Sequence, residues 1–325
     1  MKVTSLIMMV VAAVLGWAEP AHATELSIYE IQYTTDANGV SPQDGNIVNC
    51  IGGIVVHKSS GSRTRLTLYD PAHPDGWGGI MVKDRYGVGA FADVNVGDWV
   101  SFANVEVEDF RGTTFLQYKA DNDPSFTIVS ANNPVPRPLV VTVDEIAAPL
   151  EGADTWIVAD HRAEKYEAML VRVANVSVSD VGYGKAYDNY ILQSNAEPNL
   201  MCWASDYMND DSVGIYHPLV EIGQNFCGVA GILEQYAGEA DGIYYDYYQL
   251  LTRSTEDFTI DQMADLDGDC DVDFADLSLF VDHWQEYGCA EPDWCGGADL
   301  TKDHAGGTVD MLDMLEFAQH WLQGK

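Results

Sequence analysis

Near the C-terminal end, Asp265-Leu266-Asp267-Gly268-Asp269-Cys270-Asp271-Val272-Asp273-Phe274-Ala275-Asp276 sets carboxylates at positions 1, 3, 5, 9 and 12 of a twelve-residue loop, with an apolar residue at position 8. Calcium is a hard cation that takes six to eight oxygens. A loop that wraps it must return side-chain oxygens at such spacings while position 7 offers its backbone carbonyl. An apolar-periodic run follows, Leu277, Leu279, Phe280, Val281 and Trp284, which predicts a short helix starting at the last ligand. The pattern recurs 37 residues on: Asp276-Leu277-Ser278-Leu279-Phe280-Val281-Asp282-His283-Trp284 aligns with Asp313-Met314-Leu315-Glu316-Phe317-Ala318-Gln319-His320-Trp321.

Two loop-plus-helix repeats at a chain end resemble a type I dockerin over residues 264–323. The resemblance implies calcium ions, near-twofold symmetry of the repeats, and docking onto a cohesin-like domain of another secreted or surface protein, in the setting of extracellular polysaccharide breakdown. It assigns Asp265, Asp267, Asp269, Asp273 through water, Asp276 and the carbonyl of Asp271 as ligands of the first loop. The second loop would use Asp299, Thr301, Asp303, Asp310 and Asp313. Two departures stand out. Cys270 occupies position 6, where Gly permits the sharp turn. The second loop is three residues longer and must bulge, at Gly306-Gly307, for Asp313 to close it. His283 and His320, at equivalent helix positions beside Trp284 and Trp321, read as packing residues rather than ligands.

The body from Thr24 to Phe258 reads as short strands and turns, with little sustained helical periodicity. Expected strands are Ile47–Val56, Arg63–Tyr69, Gly78–Val82, Trp99–Val107 and Thr113–Tyr118. After the connector Asn133-Pro134-Val135-Pro136-Arg137-Pro138 they are Met169–Ser179, Tyr187–Gln193, Leu200–Ala204, Phe226–Leu233 and Tyr244–Leu251. The halves match in detail: Asp93-Val94-Asn95-Val96-Gly97-Asp98 corresponds to Leu219-Val220-Glu221-Ile222-Gly223-Gln224, and Gln117 to Gln249. The phrases Gly45-Asn46-Ile47-Val48, Gly79-Ile80-Met81-Val82, Val96-Gly97-Asp98-Trp99-Val100, Glu164-Lys165-Tyr166-Glu167 and Tyr248-Gln249-Leu250-Leu251 resemble the tandem OB-fold-like domains of some secreted bacterial nucleases and other exported proteins. The expected class is therefore mainly β: two tandem five-stranded OB-like Greek-key barrels, 24–133 and 139–258, followed by a small α-helical calcium-loop module, 264–325. The proline-rich connector predicts some independence between the barrels.

Lys2, the apolar run Leu6–Leu15 and Ala21-His22-Ala23 read as a signal peptide cut before Thr24, which predicts a secreted, extracellular or cell-surface protein. Later apolar stretches are too short for a membrane span. Export permits disulfides among Cys50, Cys202, Cys227, Cys270, Cys289 and Cys295. Sequence cannot choose among the connectivities. Cys289–Cys295 would close a small loop, and Cys202–Cys227 is a second option. No CxxC spacing points to zinc.

The net charge of -35 divides between both parts. Residues 24–258 hold 13 Lys+Arg against 34 Asp+Glu, and residues 259–325 hold 2 against 16. Such a chain repels bulk nucleic acid and attracts cations. No G-x-S-x-G, H-E-x-x-H, Walker or Rossmann motif appears, and His57, His73, His161 and His217 form no ligand-like spacing. Tyr244, Tyr245, Tyr247 and Tyr248, with Trp77, Trp99, Trp203 and Tyr207, read first as core and cross-strand pairing and second as a stacking platform for a glycan. Three functions stay open: a non-catalytic component whose barrels bind a glycan or protein, a hydrolase of glycans or nucleic acid with its site in the barrel region, and a spacer.

Overall fold

The computed structural model describes residues 24–59, 65–85, 89–146, 157–158, 160–181, 189–205, 220–240, 242–260, 263–268, 270–302 and 307–322. The chain opens with β1 (Thr24–Leu26) and α1 (Ile28–Gln32). A capping box starts α1, in which Ser27 Oγ accepts from the Glu30 N–H and the Glu30 carboxylate accepts from the Ser27 N–H. Six strands follow: β2 (Ile47–Lys58), β3 (Arg65–Tyr69), β4 (Gly79–Asp84), β5 (Trp99–Phe110), β6 (Thr113–Tyr118) and β7 (Ser125–Ser130). The second half repeats the plan with β8 (Leu139–Val141), β9 (Leu170–Val181), β10 (Asn189–Ser194), β11 (Met201–Ser205), β12 (Asn225–Ala240), β13 (Ile243–Leu251) and β14 (Phe258–Thr259).

The two sheets have one topology. In the first, β2-β3-β4-β6-β5 run side by side and the β2–β5 pairing closes the ring; in the second, β9-β10-β11-β13-β12 do the same and β9–β12 closes it. Each barrel has one parallel pair, β4–β6 or β11–β13. Each also gains a leading strand parallel to its first barrel strand, β1 on β2 and β8 on β9. A trailing strand is added in each, β7 on β5 and β14 on β12. Period-two alternation fills each interior: Leu66, Leu68, Ile80, Val82 and Leu116 in the first, Val171, Val173, Leu192, Val229 and Leu250 in the second.

The connector does not leave the barrels independent. Val56, Met81, Phe115, Ala168, Leu170, Ile232 and Leu251 form a separate buried cluster drawn from both halves. Backbone bonds cross the seam from Trp77 N–H to the Lys165 carbonyl and from Ala237 N–H to the Arg111 carbonyl. At Gly79 an added Cβ would lie 2.4 Å from the Ala168 carbonyl carbon, so only glycine lets the two backbones approach this closely. The proline-rich segment sets the entry to the second barrel, while apolar burial holds the pair together.

The C-terminal module contains α2 (Phe274–Asp282), β15 (Tyr287–Cys289), β16 (Gly307–Thr308) and α3 (Met311–Gln319). Its core is Val272, Phe280, Leu300, Val309 and Phe317 with Cys289 and Cys295. Cys289–Cys295 is bonded, as one of the open pairings had it. Cys202–Cys227 is not formed. Cys202 packs inside the second barrel with a buried free thiol, and Cys227 bonds Cys270 of the first acidic loop. No described helix is long and apolar enough to cross a membrane.

Candidate metal centre in the C-terminal module

The helices of the module begin alike. Asp273 caps α2 and Asp310 caps α3, each in a reciprocal capping box with the carboxylate three residues on, Asp276 or Asp313. The equivalence extends past the helix ends. Gln285 N–H donates to the Val309 carbonyl (3.0 Å) and Leu322 N–H to the Val272 carbonyl (2.9 Å). Donors and acceptors are each offset by 37 residues, so the repeats clasp one another reciprocally about a local twofold. The equivalent rings Phe280 and Phe317 meet on that axis at 5.2 Å.

In the first loop, carboxylate oxygens of Asp265, Asp267 and Asp276 lie within 4.8 Å of one another, as do those of Asp271, Asp273 and Asp276. Asp276, fully buried, is common to both sets. One of its oxygens accepts from Leu266 N–H (2.6 Å) and Asp267 N–H (3.2 Å), and the other from Asp273 N–H (2.7 Å). Asp271, expected to contribute a carbonyl, brings its side chain to the cluster as well. This donor set is all oxygen and all anionic, which is the chemistry a hard divalent cation requires. Asp269 lies outside the described residues.

Position 6 resolves in an informative way. Cys270 adopts φ +72°, the left-handed conformation a glycine would supply, and Gly268 adopts φ +78°. The loop keeps its turn without glycine because the cysteine is fastened to β12. Asp265 then accepts from Gly268 N–H and Cys270 N–H, both at 2.8 Å.

The second loop is assembled around the equivalent residue. Asp313 is 1% exposed and accepts from the Thr301 N–H and hydroxyl, each at 2.9 Å, and from Asp310 N–H at 2.9 Å. Asp299, also 1% exposed, accepts from Lys302 N–H. Asp299, Thr301, Asp310 and Asp313 are therefore gathered at one end of α3, with Asp303 outside the described residues. Among the described residues, this loop brings no three carboxylates within 4.8 Å. His283 pairs with Glu286 (2.6 Å) and stands against Gly296, and His320 pairs with Glu316 (3.3 Å).

A second concentration of charge, which the sequence reading missed, lies in the seam between the barrels. Glu167 is 1% exposed and accepts from Thr114 N–H (3.0 Å) across the seam. Burial, with Glu164 and Asp109 nearby, raises its carboxyl well above the ordinary value of 4.5. Burial likewise raises Glu164 to about 8, although the Tyr248 hydroxyl donates to it at 2.7 Å and His161 stands near. His161 bridges Asp246 (3.1 Å) and the Ala37 carbonyl (2.8 Å); the Asp246 bond raises its pKa. Desolvation opposes the charge on Asp246, but hydrogen bonds from His161 and Gln235 outweigh it and hold that carboxyl below its ordinary range. On the same face, Lys83 lies over the Phe115 ring at 3.2 Å, and burial beside Arg65 lowers its ammonium to about 7.

These groups are locked into the packing of the seam, and the seam has a pH dependence. A carboxyl raised in the folded state keeps a proton that the unfolded chain has already released. For Glu164 this contribution is complete below about 4.5 and falls as pH rises toward 8, by about 1.4 kcal/mol per pH unit, and Glu167 acts in the same direction. Glu167→Gln should flatten this slope and raise stability at pH 8 by about 1–2 kcal/mol, read from urea denaturation at pH 5, 6.5 and 8.

Of the tyrosine-rich strand, Tyr247 and Tyr248 are buried, with Tyr247 stacked on Trp203 at 4.7 Å, while Tyr244 is 52% exposed. Core packing accounts for most of the strand. Tyr207 and His217 lie outside the described residues.

No protein-family model matches the chain, and no curated protein matches it. Among solved structures, a murine DNA-binding protein bound to double-stranded DNA shows 10% identity over 63% of this chain and 95% of its own, with a TM-score of 0.28. Fission yeast Pot1 with single-stranded DNA shows 12% identity over 74% and 87%, with a TM-score of 0.29. The OB domain of Ta0387 from Thermoplasma acidophilum shows 16% identity over 35% and 95%, with a TM-score of 0.22. At these scores the likenesses do not decide the architecture; the strand order does.

Proposed function

We propose that the chain is a secreted, non-catalytic component built of two tandem OB-like barrels and a dockerin-like module. The module binds calcium and docks onto a cohesin-like receptor, and the barrels engage a glycan or protein in extracellular polysaccharide breakdown. The observation that carries this reading is the convergence of the first-loop carboxylates on buried Asp276; in the second loop the equivalent buried Asp313 accepts from the Thr301 and Asp310 N–H groups. Calcium in the first loop would be held by Asp265, Asp267, Asp271, Asp273 and Asp276. In the second, Asp299, Thr301, Asp310 and Asp313 would hold it. The cation neutralises carboxylates that otherwise repel one another, which couples metal uptake to ordering of the helix pair.

The exposed side of the helix pair supports docking. Phe274 is 74% exposed, Val281 54%, Met311 69%, Leu312 57% and Leu315 60%. Such a face on a small secreted module fits a protein partner. Binding to a panel of immobilised cohesin modules should require calcium, and Leu315→Asp should weaken it about tenfold or more. Retention unchanged in EDTA would contradict the reading.

A further inference from the structure

A cleft of 440 Å³ opens where the second barrel meets the first acidic loop, bounded by Asn175, Asn195 and Asn225, by Phe226 and Ile260, and by Asp265. Its size is that of a small-molecule site. The barrel brings three carboxamides to one end of its wall. Asn225 starts β12 opposite Ser177, and Asn195 follows β10, whose last residue Ser194 lies opposite Val176. Asn175 stands in β9 at φ +48°, a conformation asparagine tolerates better than other side chains. The Asn195 N–H and carboxamide both donate to Asn175, at 3.0 Å each, which fixes the two side chains relative to one another. The Cys227–Cys270 bond fastens the opposite wall.

The lining selects the ligand class. Among the described residues no Lys, Arg or His lines the cleft, so phosphates and carboxylates find no counter-charge there. Asp265 accepts from the Gly268 and Cys270 N–H groups and belongs to the carboxylate cluster of the first loop, so its charge is committed to that loop and its proposed calcium rather than to the cleft. What remains is a set of carboxamides, each donor and acceptor together, beside the exposed apolar side chain of Ile260, with Phe226 buried in the barrel behind it. A hydroxyl is likewise donor and acceptor, and the C–H face of a sugar ring is apolar. We infer that this cleft binds a neutral saccharide, with Asn195 and Asn225 as its hydrogen-bonding residues. The inference rests on the reading that the barrels engage a glycan, and it places the site at the calcium-loop junction rather than on the tyrosine-rich strand.

The test uses the full mature chain with its disulfides intact, screened against immobilised cellohexaose, xylohexaose and mannohexaose, with tri-galacturonate as the charged comparison. Retention of a neutral oligosaccharide is expected. Asn225→Ala and Asn195→Ala should each weaken it about tenfold, the equivalent of one or two hydrogen bonds, while Tyr244→Ala leaves it unchanged. Asn225, exposed and without a side-chain bond to any described residue, can be truncated without disturbing the barrel, so its variant guards against a folding artefact. Retention of no neutral sugar overturns both the site and the glycan reading. Retention that survives both asparagine variants but falls with Tyr244→Ala overturns the site alone.

Discussion

Asp276→Ala should unfold the C-terminal module. The Asp276 carboxylate, fully buried, is the acceptor for three backbone N–H groups, those of Leu266, Asp267 and Asp273. Alanine leaves those donors unmet in the packed loop, at a cost of about 1–3 kcal/mol each and about 3–9 kcal/mol in sum. A module of this size has little more stability than that to lose. Loss of the Asp273 bond also dismantles the capping box of α2. Circular dichroism should show helix loss, and the near-ultraviolet signal of Trp284 and Trp321 should collapse while the barrels keep theirs. Asp276→Asn, which retains one acceptor oxygen, should fall between wild type and alanine.

Removing the Cys227–Cys270 bond should cost about 4 kcal/mol. The bridge spans 43 residues, and in the chain-entropy account a closed loop of that length restricts the unfolded chain by that amount. The native side has a further contribution that separates two variants. Cys270 sits at φ +72°, so Cys227→Ala with Cys270→Ala keeps a Cβ in the left-handed region, a cost of about 1 kcal/mol that the native chain also carries. Cys227→Ala with Cys270→Gly avoids that cost. Calorimetry of the two double variants should therefore rank the glycine form above the alanine form, with both well below the native chain. Equal melting temperatures would show that the loop backbone relaxes once released.

Where side-chain periodicity and local turns decide the structure, the chain declares itself. Thr113–Tyr118 is a strand at the expected limits, and the other barrel strands appear where alternation places them, with shifted ends. Strands extended by remote partners are less legible. β12 runs to Ala240, well past the expected Leu233, and in the added stretch the Gln235 carbonyl accepts from Thr113 and the Ala237 N–H meets Arg111 of the other barrel. β1, β8 and β14 span two or three residues and exist only through pairing with distant strands, so no period reveals them. α1 was not anticipated, although Ser27-Ile28-Tyr29-Glu30 carries the capping-box pattern that could have announced it. In the first acidic loop, spacing alone anticipates that the carboxylates of Asp265, Asp267 and Asp273 gather about Asp276. The partner of Cys270 was hidden, because the face of β12 that Cys227 occupies depends on the closed barrel. The seam was hidden too: nothing in Glu164-Lys165-Tyr166-Glu167 tells that the barrels close over it and bury both glutamates.

Calorimetric titration of calcium into the EDTA-treated chain from Thr24 onward tests the proposed first-loop calcium site most directly. Saturable uptake is expected, with a gain of helical signal and with loss of the first-loop component in Asp267→Ala. Absence of binding at millimolar calcium, or uptake that Asp267→Ala leaves untouched, would contradict it.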